Sequence, residues 1–300
     1  MVSLPPERRP ARLAVGVIGA GRVGAVLGAA LARAGHHVEA VAAVSDASRR
    51  RAQRLLPDAA VLPPDEVAAA AELLLLAVPD DVLPALANGL GATEAVRPGA
   101  LVVHTSGAHG VGVLAGLAER GAAPLALHPV MTFTGTELDL VRLAGVSFGV
   151  TAPDELRPAA EALVIEMGAE PVWIAEPLRP LYHAALAFGS NNLVTLVAQA
   201  SDLLRQAGVD EPRRLLGPLL EAALDNALGS GDRALTGPVA RGDAGTVSSH
   251  LRALSDTAPD AVPAYVELCR LTALRALAAG TLPADRAAAL LDVLAAGDVT

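Results

Sequence analysis

Lysine is absent from this chain, and all 23 basic residues are arginine. Schiff-base chemistry, pyridoxal phosphate attachment and the P-loop lysine are excluded with it, because each needs a primary amine. The single cysteine, Cys269, excludes an internal disulfide and any multi-cysteine zinc site. Aromatic residues make up 2% of the chain, too few for a platform that stacks single-stranded nucleic acid. Acidic residues number 32, for a net charge of −9, whereas a polyanion partner needs positive charge in excess. No apolar run approaches the ~20 residues that cross a bilayer. Neither nucleic acid nor membrane is therefore expected as a partner.

What remains is apolar: 52% of the 300 residues are hydrophobic and 18% charged, which excludes intrinsic disorder and allows about two domains of roughly 150 residues. Arg8, Arg9 and Arg12 precede an apolar stretch from Leu13, and Ala30-Leu31-Ala32 resembles a cleavage site, the pattern of a twin-arginine export signal. Against it, Arg22 cuts the apolar run and cleavage would remove the first strand. The expected location is the cytoplasm.

Short apolar runs read as buried strands at Leu13–Ile18, Val38–Val44, Leu73–Ala77, Leu101–His104, Pro124–Leu127, Val146–Val150 and Pro171–Ile174. Helical periods separate the first of these, as from Arg22 to Ala34 before Gly35. Alternation of this kind predicts an α/β fold with a doubly wound parallel sheet. Past Glu176 the strand-like runs stop and Ala/Leu-rich helical periods take over, predicting an all-α C-terminal domain. The expected division is 1–152 for a dinucleotide-binding domain, 153–176 for a connecting α/β segment and 177–300 for a helical substrate and dimerisation domain.

Gly19-Ala20-Gly21-Arg22-Val23-Gly24 is G-x-G-x-x-G between a strand and a helix. The first glycine permits the tight turn, the second lets a pyrophosphate approach the backbone, and the third lets helix and strand pack closely. The helix N-terminus then offers free N–H groups to that phosphate. At the end of the second strand, where an NAD site usually has an acid, stands Ser45, followed by Asp46. Ser45, Ser48, Arg49 and Arg50 suit a 2′-phosphate, which favours NADP(H) over NAD(H). The alternative is a solvated arginine face with Asp46 on the ribose.

Further polar clusters end later strands: Val78-Pro79-Asp80, His104-Thr105-Ser106-Gly107 and His128-Pro129. Val78, Pro79 and Asp80 are expected beside the cofactor, and Ser106 and His128 beside substrate. Buried, hydrogen-bonded histidines are the plainer reading of His104 and His128. The histidines show no H-x-x-x-H or acidic ligand spacing, so no metal is expected. On a helical wheel Arg179, His183 and Ser190 fall within about 40° of one another, with Asn191 just beyond. Such a stripe on an apolar helix faces either a ligand cleft or another helix. Arg241, in Gly237-Pro238-Val239-Ala240-Arg241-Gly242-Asp243, is a candidate anchor for a carboxylate, while Asp243 could cap the next helix.

Together with Ala77-Val78-Pro79-Asp80, Leu127-His128-Pro129 and Tyr182-His183-Ala184-Ala185, these pieces resemble a two-domain family of NADP oxidoreductases. Its members join a Rossmann-like half to a helical domain of unknown function, DUF2520. It is similar to the 6-phosphogluconate dehydrogenase, pyrroline-5-carboxylate reductase and ketopantoate reductase (PanG type) group. The resemblance implies an NADPH-dependent reductase of a small carbonyl or imine compound such as a 2-oxo acid, and a homodimer formed through the C-terminal helices. The β-hydroxyacid dehydrogenase relatives carry a catalytic lysine where this chain has Arg179, with His183 four residues on. Arginine releases no proton at working pH, so His183 is the expected proton donor. Arg179 or Arg241 would hold a carboxylate, Asn191 would orient the substrate oxygen, and Ser190 would line the pocket. A dinucleotide-binding sensor without turnover is the alternative, favoured by the missing lysine.

Overall fold

Four consecutive leucines, Leu73–Leu76, are all buried in one strand, as a strand covered on both faces requires. Leu73 and Leu75 enter one apolar cluster, while Leu74 and Leu76 enter a second. Successive side chains alternate across a strand, so the sheet has a core on each side and is doubly wound. The computed structural model describes residues 12–297; Arg8 and Arg9, on which the export reading rests, lie outside them. Two compact units divide the chain, 1–187 and 188–300.

In the first unit the order is β1 (Ala14–Ile18), α1 (Arg22–Arg33), β2 (His37–Ala42), α2 (Asp46–Leu55), β3 (Ala60–Val61), α3 (Pro64–Ala70), β4 (Leu73–Leu76), α4 (Leu83–Ala92), β5 (Leu101–His104), α5 (Ala115–Ala118), β6 (Ala123–Pro129), α6 (Glu137–Arg142), β7 (Ser147–Thr151), α7 (Arg157–Glu166), β8 (Glu170–Trp173) and α8 (Arg179–Leu186). The sheet runs β3-β2-β1-β4-β5-β6-β7-β8. Chain order reverses beside β1, the switch point where such sheets take ligands. Pairing is parallel except between β6 and β7, which are antiparallel, with Leu127 opposite Val150 and His128 opposite Gly149. That pair departs from the all-parallel expectation: the chain leaves β6, makes only the short helix α6 and turns straight back.

After a π-helical turn over Ala187–Asn191, the second unit is helical: α9 (Asn192–Gln206), α10 (Pro212–Ser230), α11 (Gly237–Arg241), α12 (Ala244–Thr257), α13 (Val262–Ala278) and α14 (Ala284–Gly297). Its core is built mainly by α12, α13 and α14, through Val247, Leu251, Val266, Ala273, Leu290 and Leu294. α9 contributes no buried residue and α10 only Pro212. An apolar cavity of about 470 Å³ lies within this unit, lined by Leu196, Leu203, Leu254, Tyr265, Leu268 and Cys269 among others. Among the described residues no helix is long and apolar enough to cross a membrane.

Candidate active site

Because β1, β4, β5 and β6 run parallel, their C-terminal ends share one edge of the sheet. At the end of β1, Gly19 has φ +98°, a conformation open to glycine. A Cβ on Gly24 would overlap the Gly19 carbonyl, so helix α1 can lie this close to the turn only without one. Gly21 is the N-cap of α1, with no side chain capping the helix and no acid in its first turn. A Cβ on Gly21 would meet nothing nearer than the Gly19 carbonyl oxygen at 4.0 Å. The approach to the unsatisfied N–H groups is open, and the cradle fits a diphosphate. Ala20 is buried, Val23 packs against the core and Arg22 is exposed.

The end of β2 is more locally engaged than its sequence suggests. The Ser45 hydroxyl caps α2 by accepting the Ser48 N–H at 3.2 Å, and the Ser48 hydroxyl donates to the Ser45 carbonyl at 2.7 Å. Arg49 pairs with Asp46 at 3.5 Å. Arg51 donates to the Ala20 carbonyl and Arg54 to that of Gly135. Arg22 and Arg50 are exposed and have no hydrogen-bond or ion-pair partner among the described residues.

Further along the edge, Val78 packs against the second core cluster. Past Pro79, the Asp80 carbonyl accepts from the His109 ring at 3.2 Å. β5 ends in His104, which is fully buried. Its Nε2 donates to the Gly110 carbonyl at 2.9 Å, and its Nδ1 accepts the Ser106 N–H at 3.2 Å. Burial pushes its pKa down to about 4, against the weaker opposing pull of the Gly110 bond. His104 is thus a neutral brace for the loop after β5. Glu176 grips the same loop, accepting the Val111 and Gly112 N–H groups at 2.9 Å each.

Glu176, Arg179, Tyr182 and His183 recur at helical spacing and meet these loops. Arg179 is completely buried. Its guanidinium donates to the Ser106 carbonyl at 2.8 Å, the Thr151 hydroxyl at 2.9 Å and the Gly149 carbonyl at 3.4 Å, while its Nε has no partner. The expectation that Arg179 holds a substrate carboxylate is therefore corrected: its charge is directed at the loop after β5 and at β7, which it ties together. Ser106 is likewise buried, its hydroxyl accepting the His109 N–H. Tyr182 lies 2.8 Å from His128 Nδ1. The His183 ring stands edge-on to that of His128, centroids 5.9 Å apart. Both rings close over Gly107, where a Cβ would lie 2.6 Å from His183 Cδ2 and 3.0 Å from His128 Nε2. Burial, then His183 and Arg179, lowers the His128 pKa to about 4.

The structure thus brings Ser106, His128, Arg179 and His183 together. Ser190 and Asn191, on the π turn, and Arg241, at the end of α11, belong to the second unit, and all three are exposed. The 100° wheel that aligned Ser190 with His183 fails past Ala187, since a π turn bonds i to i+5. Asp243 caps α12, accepting the Thr246 N–H at 3.0 Å. Tyr182 and Glu176 were missed as site residues; their signal was the three-residue spacing from Arg179. Among the described residues no cluster of His, Cys, Asp and Glu could hold a metal.

Comparison with known proteins agrees with this architecture. Residues 3–129 match the Rossmann-like domain family, and residues 146–272 match a domain of unknown function, DUF2520. A crystal structure of a Bacteroides fragilis protein, provisionally named an NADP oxidoreductase, is 24% identical and superposes with a TM-score of 0.70 over 89% of this chain and 97% of its own. A Thermotoga maritima protein is 22% identical, with a TM-score of 0.64 over 88% and 98%. An imine reductase from Pseudomonas sp. is 19% identical, with a TM-score of 0.57 over 96% and 94%. No curated protein matches the chain. The chain carries a Rossmann-like domain followed by DUF2520, the pairing that its motifs resemble.

Proposed function

We propose that this chain is a nicotinamide-dinucleotide-dependent reductase of a small carbonyl or imine compound, using NADP(H) in preference to NAD(H). A 2-oxo acid such as ketopantoate is the substrate the sequence resemblance favours, and the imine reductase fold adds imines to the candidates. One observation carries the reading. The open glycine cradle ends β1, and the imidazoles of His128 and His183 stand where β5 and β6 end, two and three strands along the same edge, roughly 10 and 14 Å away at the usual strand spacing. A bound reduced nicotinamide supplies a hydride. The chain's own residues orient the substrate, shield it and supply the proton.

In this reading the N–H groups from Gly19 to Gly24 take the diphosphate. Val78, Pro79 and Asp80 border the dinucleotide. Ser45, Ser48 and Arg49 shape the turn at the 2′-phosphate, and Arg22 and Arg50, exposed guanidinium groups with no partner among the described residues, contact it. Ser190, Asn191 and Arg241 keep the substrate-contact roles their sequence suggests. The rival reading, a dinucleotide sensor without turnover, draws support from Arg179, a buried group that cannot serve as an acid in place of the relatives' lysine. The test is calorimetry with NADPH and NADH, followed by reduced-nicotinamide absorbance over a panel of 2-oxo acids and imines. Tighter binding of NADPH, weakened in Arg50→Ala, and its consumption by a panel member are expected. NADH binding as tightly as NADPH overturns the NADP(H) preference. Binding without consumption favours the sensor.

The same reading includes a homodimer formed by the C-terminal helices. Exposed apolar side chains on α9 and α10 include Val194 at 71%, Leu219 at 65% and Leu228 at 80%. Two helices this apolar, with Pro212 their one buried residue, make an apolar surface of the kind that a second copy covers.

A further inference from the structure

We infer that His128 hands the substrate its proton while Tyr182 replaces that proton in the same step, and that Arg179 stabilises the phenolate so formed. The inference rests on the reductase reading and names the acid within it. It starts from a buried charge with no ion pair in contact, Glu176 and Asp80 acting on it only from farther off. Arg179 is fully buried, yet among the described residues no carboxylate makes ion-pair contact with it. Its partners are two carbonyls and one hydroxyl, and its Nε is unpaired. A buried cation satisfied only by neutral dipoles is costly. Its Cζ lies 5.9 Å from the centre of the Tyr182 ring, so the cation favours an anion on that ring, against the burial that raises the hydroxyl's pKa.

The hydrogen bonds set the direction of transfer. Among the described residues the one hydrogen-bond partner of the Tyr182 hydroxyl is His128 Nδ1, at 2.8 Å, so Nδ1 is the acceptor within reach of its proton. Tyr182 therefore donates, which leaves the His128 proton on Nε2. That Nε2 has no partner among the described residues and lies at the space over Gly107 beside His183. Burial, His183 and Arg179 keep the ring neutral at working pH. A neutral imidazole is a very weak acid unless its other nitrogen gains a proton at the same moment. Tyr182 is placed to give it one. His183 has no hydrogen-bonded group behind it among the described residues and walls the space instead.

As the hydride reaches the substrate carbon, the His128 Nε2–H bond breaks and an O–H or N–H bond forms on the substrate. The Tyr182 O–H bond breaks and an Nδ1–H bond forms on His128, leaving the Tyr182 phenolate beside Arg179. The one solvent proton that the overall reduction consumes then binds His128 Nε2 as the Nδ1–H bond breaks and the Tyr182 O–H bond re-forms, and the starting tautomer is restored.

The experiment uses the full chain labelled with ¹⁵N. Long-range imidazole spectra at neutral pH, with and without NADPH, read the His128 tautomer, assigned with His128→Gln. A neutral Nε2–H form is expected in the wild type, and a mixed population in Tyr182→Phe, a change that a packing role for Tyr182 would not produce. With a turned-over panel compound, Tyr182→Phe should lower kcat by about 10²-fold or more, with KM and NADPH affinity little changed. The solvent proton inventory should pass from curved to linear. An Nδ1–H tautomer or an imidazolium in a protein that binds NADPH overturns the relay alone, as does wild-type kcat in Tyr182→Phe. Failure of both NADPH and NADH to bind overturns the reductase reading and the relay with it.

Discussion

At Gly107 a single methyl group is enough to disturb the site. Both imidazole rings crowd the space that a Cβ would need: His183 Cδ2 at 2.6 Å is closer than a Cβ can come, and His128 Nε2 at 3.0 Å would also have to give way. Gly107→Ala must therefore push His183 or His128 aside. The expected outcome is a loss of about 1–3 kcal/mol in stability, as for other overpacked sites, and a large fall in turnover with NADPH affinity retained, because the glycine cradle is on another strand. Thermal unfolding and calorimetry check it, and full turnover would show that the rings are not held where they act. Arg179 carries the converse lesson. Its sequence position marks a polar stripe, but a stripe alone does not say whether it faces a ligand or the protein's own carbonyls. Complete burial settles that question for Arg179.

Among the elements, the strand ends were legible and their connections less so. Apolar runs bounded by glycine or proline located β1, β4 and β5 within a residue or two, since a strand buried on both faces needs such a run. The antiparallel β7 and the π turn after α8 were not legible. Strand direction depends on which neighbour the chain meets, and a π turn leaves no composition of its own. The end of β5 supports a prediction. His104 is buried neutral, with a pKa near 4, below the ~6.5 of an unfolded histidine. Its folded pKa is depressed, so its contribution to stability is complete above about pH 6.5 and is lost as pH falls towards 4, on the order of 3 kcal/mol at most. His128 acts in the same direction. Thermal midpoints measured from pH 7 to pH 5 should fall, and His104→Gln should flatten that fall. An unchanged slope in the variant would show that other groups govern acid unfolding.

For the whole molecule, the two units differ in how far each covers its own apolar surface. The sheet unit has a core on each face, whereas α9 and α10 of the helical unit leave Val194, Leu219 and Leu228 in the open. Each such side chain contributes roughly 1.5–3 kcal/mol once covered. Sedimentation at micromolar concentration is expected to show a dimer, and Leu219→Glu with Leu228→Glu should yield a folded monomer. A wild-type monomer across that range would rule the dimer out.

The sequence by itself determined the two-part organisation, the doubly wound sheet and the glycine cradle, because periodicity and glycine stereochemistry act over a few residues. It also excluded lysine chemistry outright. Only the tertiary structure decided that Arg179 is buried, that His128 pairs with Tyr182 and that Gly107 lies beneath two imidazoles. Those contacts join segments 21 to 76 residues apart in the chain, and no local pattern encodes which distant loops a folded chain brings to one edge of its sheet.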